Sequence, residues 1–324
     1  HGLHPSLRGF ADLLEAGKLS ILQGIGYPNP NRSHFESMDI WRSAKHWTKD
    51  DMPAVPTGWL GRGLDVQKQS GGDLPALHFG GDAQPLALRS LDVPVPSLRS
   101  LDSFRLDTGG DLRQKESIRQ AAAATRSTDN DLLGFLQSNT TAALDASRRV
   151  EKATKNYQTK ASYPGTPLAG KLRSVAQLIN AGMNTRIYYV TLDGFDTHSN
   201  QRDAHAGLLS QLSGAVSAFL EDVTAQGHGE RVMVMTFSEF GRRVKENASG
   251  GTDHGAAAPM FLAGANVASG LMGEHPSLTD LEDGDVKFHT DFRRVYAGVL
   301  KGWLGWNPAP VVGKQFAPLD VVRA

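Results

Sequence analysis

The chain has 324 residues, with 34 Lys plus Arg against 34 Asp plus Glu and no cysteine. That length supports one large α/β domain or two small ones, each with a substantial core. Balanced charge excludes a global basic field for nucleic acid or an anionic membrane, and the lack of Cys excludes disulfides, thiolate nucleophiles and Cys-type zinc or iron–sulfur sites.

The N-terminal unit reads helix, strand, helix. Leu7, Phe10, Leu13 and Leu14 recur at helical spacing between Pro5 and Ala16, and Gly17 stops the helix. Leu19 to Ile25 is an apolar run of the buried-strand type. Tyr27 to Arg32 is a loop by composition. Ser33 is a good N-cap, Glu36 completes a capping box, and Phe35, Met38 and Trp41 fit the buried stripe of the following helix. Leu74 to Leu88 suggests two short strands around Gly80-Gly81. Residues from about 112 to 160 read as a polar helical excursion from a single domain spanning 1–324.

The second half is more regular. Leu168 to Ala181 is helical, and Thr185 to Leu192 is a strand rich in β-branched and aromatic residues. Asp203 to Ala225 is a long helix, and Arg231 to Phe237 is another buried-type strand. Pro259 to Ala263 is a third strand, and Phe292 to Leu304 an amphipathic helix. Strand, helix, strand with a long crossover implies parallel pairing. No apolar run approaches the roughly 20 residues that span a bilayer, and no signal peptide is recognisable.

Open parallel sheets bind ligands beyond the carboxyl ends of their strands. Two strands deliver polar clusters there: Asp193 to Gln201, containing Asp196 and His198, and Ser238-Glu239 with Arg242 and Arg243. A third cluster, Gly251 to Gly255, carries Asp253 and His254. Asp196 and His198 face one way if the segment is extended, a carboxylate and an imidazole suited to a divalent cation. The plain alternative is a solvated loop with an Asp-to-His hydrogen bond. Glu239 reads as a ligand or general base, or as a partner of Arg242 or Arg243. Either arginine could instead clamp an anionic substrate group. Ser238 could cap the next turn. Ser33 is the best nucleophile candidate, because a helix N-terminus favours an anion; its alternative role is the cap alone. His34 reads as a base, a ligand or a core histidine. There is no Gly-x-Ser-x-Gly elbow and no phosphate-binding P-loop.

The motifs Gly2-Leu-His-Pro-Ser-Leu7, Arg32-Ser-His-Phe35, Gly194-Phe-Asp-Thr-His198, Ser238-Glu-Phe-Gly-Arg242 and Gly251-Thr-Asp-His-Gly255 together resemble a large uncharacterised bacterial family. Its members are often exported by the twin-arginine route, are abundant in planctomycetes, and are placed in the alkaline phosphatase/sulfatase superfamily. The resemblance implies an α/β fold of the alkaline-phosphatase type, a three-layer sandwich with a mostly parallel central sheet. It also implies a periplasmic or otherwise extracytoplasmic location. Ser33 matches the superfamily nucleophile by topology, Asp196 and His198 resemble ligands of one metal, and His254 resembles the third. Asp253 then supports His254 rather than binding metal itself. Glu239 and Phe240 fall where many members carry Asp-His for a second metal, and Phe240 cannot ligate.

Related chains also have, upstream, a strand ending in a Gly-Gly-Asn-Asp-like turn. This sequence starts after it, so the expectation includes a sheet without its N-terminal strand, unless another chain or a preceding segment supplies one. Two functions follow as expectations. One is a metal-dependent hydrolase of phosphate or sulfate esters, with zinc, manganese or calcium, Ser33 as nucleophile, and a small anionic or polysaccharide ester as substrate. The other is an extracytoplasmic binding or assembly protein on a degraded phosphatase-like scaffold.

Overall fold

A computed structural model describes residues 2–47, 52–67, 74–81, 83–101, the positions 113, 116, 117 and 120, and 157–323. The excursion expected at 112–160 lies outside the described residues apart from those four positions and 157–160.

The chain is a mixed α/β protein. A 3-10 turn at Pro5–Leu7 runs into helix α1 (Arg8–Glu15), which ends at Gly17 with φ +69. Strand β1 (Leu19–Gly26) is followed by α2 (His34–Ser43) and α3 (Trp59–Gln67). Next come β2 (Ala76–Phe79), a 3-10 turn at Leu86–Leu88, and β3 (Ser97–Leu98). Among the described residues only one of the two strands expected around Gly80-Gly81 forms. After it the chain turns at Pro85, whose fixed φ and missing N–H suit a turn better than a ladder.

Helix α4 (Pro167–Asn180), strand β4 (Ile187–Val190), helix α5 (Gln201–Ala225) and strand β5 (Met233–Met235) follow the expected order. Then come β6 (Arg242–Glu246), β7 (Thr252–His254), β8 (Ala258–Gly264) and β9 (Gly270–Met272). After these lie β10 (Leu281–Glu282), β11 (Asp285–Val286), β12 (Thr290–Asp291), α6 (Phe292–Gly298) and α7 (Ala309–Val312). The helix expected over 292–304 changes to a π-turn at Val299–Trp303.

In place of one mostly parallel sheet, the described strands form four small sheets. The largest runs β12-β1-β8-β5 with β9 also on β1, and a second runs β3-β2-β4. Within the first, β12 and β9 pair with β1 in parallel, whereas β8 is antiparallel to both β1 and β5. Between β5 and β8 the chain runs through the β6–β7 hairpin with no helix, the usual carrier of a parallel crossover, and β8 returns antiparallel to β5. The second sheet is parallel throughout.

Both sheets lie between the same two apolar clusters. On β4, Tyr188 and Val190 face the cluster of Phe10, Leu172, Val216 and Leu77, while Ile187 and Tyr189 face that of Trp41, Trp59, Ala76 and Phe292. On β5, Val234 faces the first and Met233 and Met235 the second. This two-residue alternation is the strand period. Strands β4 and β5 are the end strands of their sheets and stay only partly buried. Among the described residues no helix is long and apolar enough to cross a membrane.

Candidate metal centre

The carboxyl ends of β1, β4 and β5 converge on one polar cluster. The loop after β1 leads to His34, the first residue of α2. The loop between β4 and α5 carries Asp196 and His198, Glu239 follows β5, and His254 ends β7. Close backbone approach makes this convergence possible. A Cβ on Gly251 would stand 2.3 Å from the His198 carbonyl carbon, so only glycine lets the β6–β7 hairpin lie against that loop.

Asp196 is the hub. Its Oδ1 lies 2.8 Å from His198 Nε2 and 3.0 Å from His254 Nε2, and its Oδ2 lies 3.1 Å from His34 Nε2. The Nε2 atoms of His198 and His254 are themselves 2.8 Å apart. Each imidazole turns its other nitrogen to an oxygen outside the cluster. His254 Nδ1 donates to the Arg32 carbonyl at 2.7 Å, and His34 Nδ1 to Glu239 Oε1 at 2.8 Å. His198 Nδ1 lies 3.4 Å from Asp253 Oδ1. A carbonyl or carboxylate oxygen can only accept, so a ring held at Nδ1 by an outer oxygen donates there; a neutral ring then has its lone pair on Nε2, and a protonated one donates Nε2–H to Asp196.

With neutral rings, electron pairs face electron pairs around Asp196, and either protons on Nε2 or a cation completes the arrangement. Imidazoles with Nε2 inward and Nδ1–H held by an outer oxygen are how proteins prepare histidine for a metal. A tetrahedral ion with bonds of about 2.0–2.1 Å sets its ligand atoms roughly 3.3 Å apart, near the 3.1 Å from Asp196 to His34 and the 3.0 Å from Asp196 to His254. His34, Asp196 and His254 each offer one atom, all within 4.8 Å of one another. The donors fit zinc or manganese better than calcium, which takes six to eight oxygens.

The electrostatics agree with a strongly held anion. Partial burial pushes the Asp196 carboxyl up, but hydrogen bonds from His254 and Arg242 and the charge of His34 and His198 hold it well below the usual carboxylate range. Burial lowers the His34 imidazole, and Glu239 and Asp196 more than reverse this, so it is raised. Burial raises Glu239, and His34, its own amide and Ser238 bring it below its ordinary value.

The remaining expected residues fall around this hub. Glu239 contacts His34 rather than Asp196, with Ser238 Oγ donating to its other oxygen at 2.7 Å, so it orients His34. Arg242 donates to Asp196 Oδ1 at 2.7 Å, to the Phe195 carbonyl at 2.9 Å and to the Thr252 carbonyl at 2.8 Å. Arg243 pairs with Asp285. Both arginines are thus engaged within the fold. Asp253, beside His198 and Asn247, braces His198 rather than its sequence neighbour His254. Phe240 is buried and stacks on His254 with ring centroids 4.4 Å apart, an apolar wall for the imidazoles.

Ser33 sits at the N-cap of α2 with β-region dihedrals, yet its hydroxyl makes no capping bond. The expected capping box does not form, because Asn31 bonds the Glu36 carboxylate. Phe35, expected in the buried stripe, is 85% exposed, since the face of the first turn that carries it is uncovered.

Sequence reasoning missed Asn247, whose amide donates to the His198 carbonyl at 3.0 Å and to Asp253 at 3.2 Å. Gln201, the last residue of the Asp193–Gln201 cluster, bridges Thr197 and Thr252 at 2.9 Å each. The Asn-Ala-Ser-Gly-Gly run at 247–251 signals a turn, but not its partner. A family model described as a protein of unknown function (DUF1501) matches residues 24–296. No curated protein and no solved structure matches the chain.

Proposed function

The chain belongs to the DUF1501 family, and from that premise we propose that it is a divalent-metal hydrolase of phosphate or sulfate esters built on an alkaline-phosphatase-like sandwich. One observation carries the reading: three imidazoles present Nε2 to a single carboxylate, each with Nδ1 turned to an outer oxygen. His34, Asp196 and His254 would hold zinc or manganese, with His198 beside Asp196 and His254 at 2.8 Å from each. Bound there, the ion would supply Lewis-acid polarisation of an ester oxygen.

The chain's own residues divide the remaining work. Glu239 and the Arg32 carbonyl fix the tautomers of His34 and His254. Arg242 locks the Asp196 carboxylate against the loop backbone. Ser33 adjoins both Arg32 and His34 in sequence, and its hydroxyl is free of capping duty. The open N–H groups of the first turn of α2 favour the anionic ester beside it. Ser33 Oγ attacks phosphorus or sulfur, the alcohol leaves with the proton that Ser33 gives up, and water then releases the inorganic anion and restores the serine. The substrate class is an anionic small-molecule or polysaccharide ester, and the location implied by the family resemblance is extracytoplasmic.

The test is metal analysis of the purified protein, then turnover of aryl phosphate and aryl sulfate monoesters and diesters with zinc or manganese supplied. Activity that falls roughly a hundredfold or more in Ser33→Ala supports the reading. A protein that binds metal but turns over none of these esters rules out the hydrolase. A protein that binds no metal favours the binding or assembly alternative.

A further inference from the structure

Asp285 lies on the short strand β11, far in sequence from every residue of the centre, and its side chain is only 4% exposed. Two arginines meet it. Arg32 Nε donates to Oδ2 at 3.1 Å and Arg32 Nη2 contacts the same oxygen, while Arg243 Nε lies 3.1 Å from Oδ1. Each arginine is one covalent step from the metal centre. The main-chain carbonyl of Arg32 accepts from His254 Nδ1 at 2.7 Å. The residue before Arg243 is Arg242, which donates to Asp196 Oδ1 at 2.7 Å.

We propose that Asp285 is a positioning residue for the metal centre, holding Arg32 and Arg243 so that the Arg32 carbonyl keeps His254 in the tautomer that directs Nε2 at Asp196. The inference rests on the metal-centre reading above. Its physical basis is that a carbonyl on a loop orients an imidazole only as well as the loop itself is held. The loop 27–33 is anchored across the molecule by the contact of Arg32 with buried Asp285, whereas most of its other bonds are local: the Arg32 guanidinium reaches 253 residues along the chain, while Asn31 bonds Tyr27 and Glu36. Outer partners of metal-binding histidines typically change affinity ten- to a hundredfold when lost.

The experiment is a cobalt(II) titration of the whole chain followed by visible absorption, for the unaltered protein, Asp285→Asn, Asp285→Glu and Arg32→Ala. The unaltered protein should give the intense band of a tetrahedral cobalt site. Asp285→Asn should bind about ten- to a hundredfold more weakly with a displaced band, and Asp285→Glu should recover part of both. Arg32→Ala should shift the band in the same direction by less, because the carbonyl remains. It also decides the matter if Asp285→Asn fails to fold, since Arg32 is half-exposed. A folded Asp285→Asn with unaltered affinity and band makes Asp285 a structural ion pair only and overturns the inference while leaving the metal reading intact. Absence of any cobalt band in the unaltered protein overturns both.

Discussion

Two carboxylates, Asp196 and Asp222, sit in opposite chemical settings. Asp222 is fully buried on α5. It accepts from the Tyr157 hydroxyl, from Thr159 Oγ1 at 2.6 Å and from the Tyr163 hydroxyl at 2.7 Å. Asp196 is about half-exposed, and three imidazole Nε2 atoms surround it. Hydroxyls bring their own protons, so the Asp222 cluster is complete as it stands. Around Asp196, Arg242 donates to Oδ1, and each imidazole completes the cluster either with a proton on Nε2 or by giving that lone pair to a cation. A buried polar network closed by its own hydroxyls holds a fold together; an open one whose imidazoles can exchange protons for a cation is suited to a ligand.

The largest expected effect separates the two. Asp222→Ala strands three hydroxyl groups in the interior and should cost on the order of 3 kcal/mol by urea denaturation, with metal affinity unchanged. Asp196→Ala should do the reverse: metal affinity by calorimetry falls more than roughly a hundredfold, while the metal-free protein loses no more than about 1 kcal/mol. Equal losses of stability in the two variants would erase the distinction.

Alkaline unfolding sharpens it. Burial, then the bond and charge of Asp222, raise the phenols of Tyr157 and Tyr163 far above their usual value. Below about pH 10 both folded and unfolded chains keep these protons and the full stability is present. Above it the unfolded chain releases them first, so stability declines as pH rises toward the folded values. The melting temperature between pH 9 and 11 should fall more steeply than in Tyr157→Phe/Tyr163→Phe, and parallel curves would contradict this. The smallest effect concerns Ser33. Loss of an N-cap serine ordinarily costs 0.5–2 kcal/mol, typically about 1. Here the hydroxyl caps nothing, so Ser33→Ala should change stability by less than about 0.5 kcal/mol, and a thermal melt checks it.

The strands β1, β4 and β5 and the helices α4 and α5 were legible because their signals are local. Runs of β-branched and aromatic residues, or apolar residues at helical spacing, report burial within a dozen positions. The same strands pointed to the site, since Asp196, His198 and Glu239 follow them directly. Phe35 was misread because a periodic stripe marks a face without saying whether anything covers it. The Ser33–Glu36 capping box was displaced by Asn31, a competitor only two residues before Ser33. Neither Asp222 nor Asp285 carried any signal, because the hydroxyl partners of Asp222 lie 59 to 65 residues away and Arg243 and Arg32 lie 42 and 253 residues from Asp285.

By itself the sequence determined which segments pair or coil and which residue types gather at the ends of the strands. Local steric preference and the burial period write that information into neighbouring residues. Tertiary structure alone decided the antiparallel entry of β8, the turn of each Nδ1 toward an outer oxygen, and the division of labour among Glu239, Arg242 and Asp253. Those outcomes depend on distances between atoms remote in sequence. An imidazole or a carboxylate takes its role from the group that faces it across that distance.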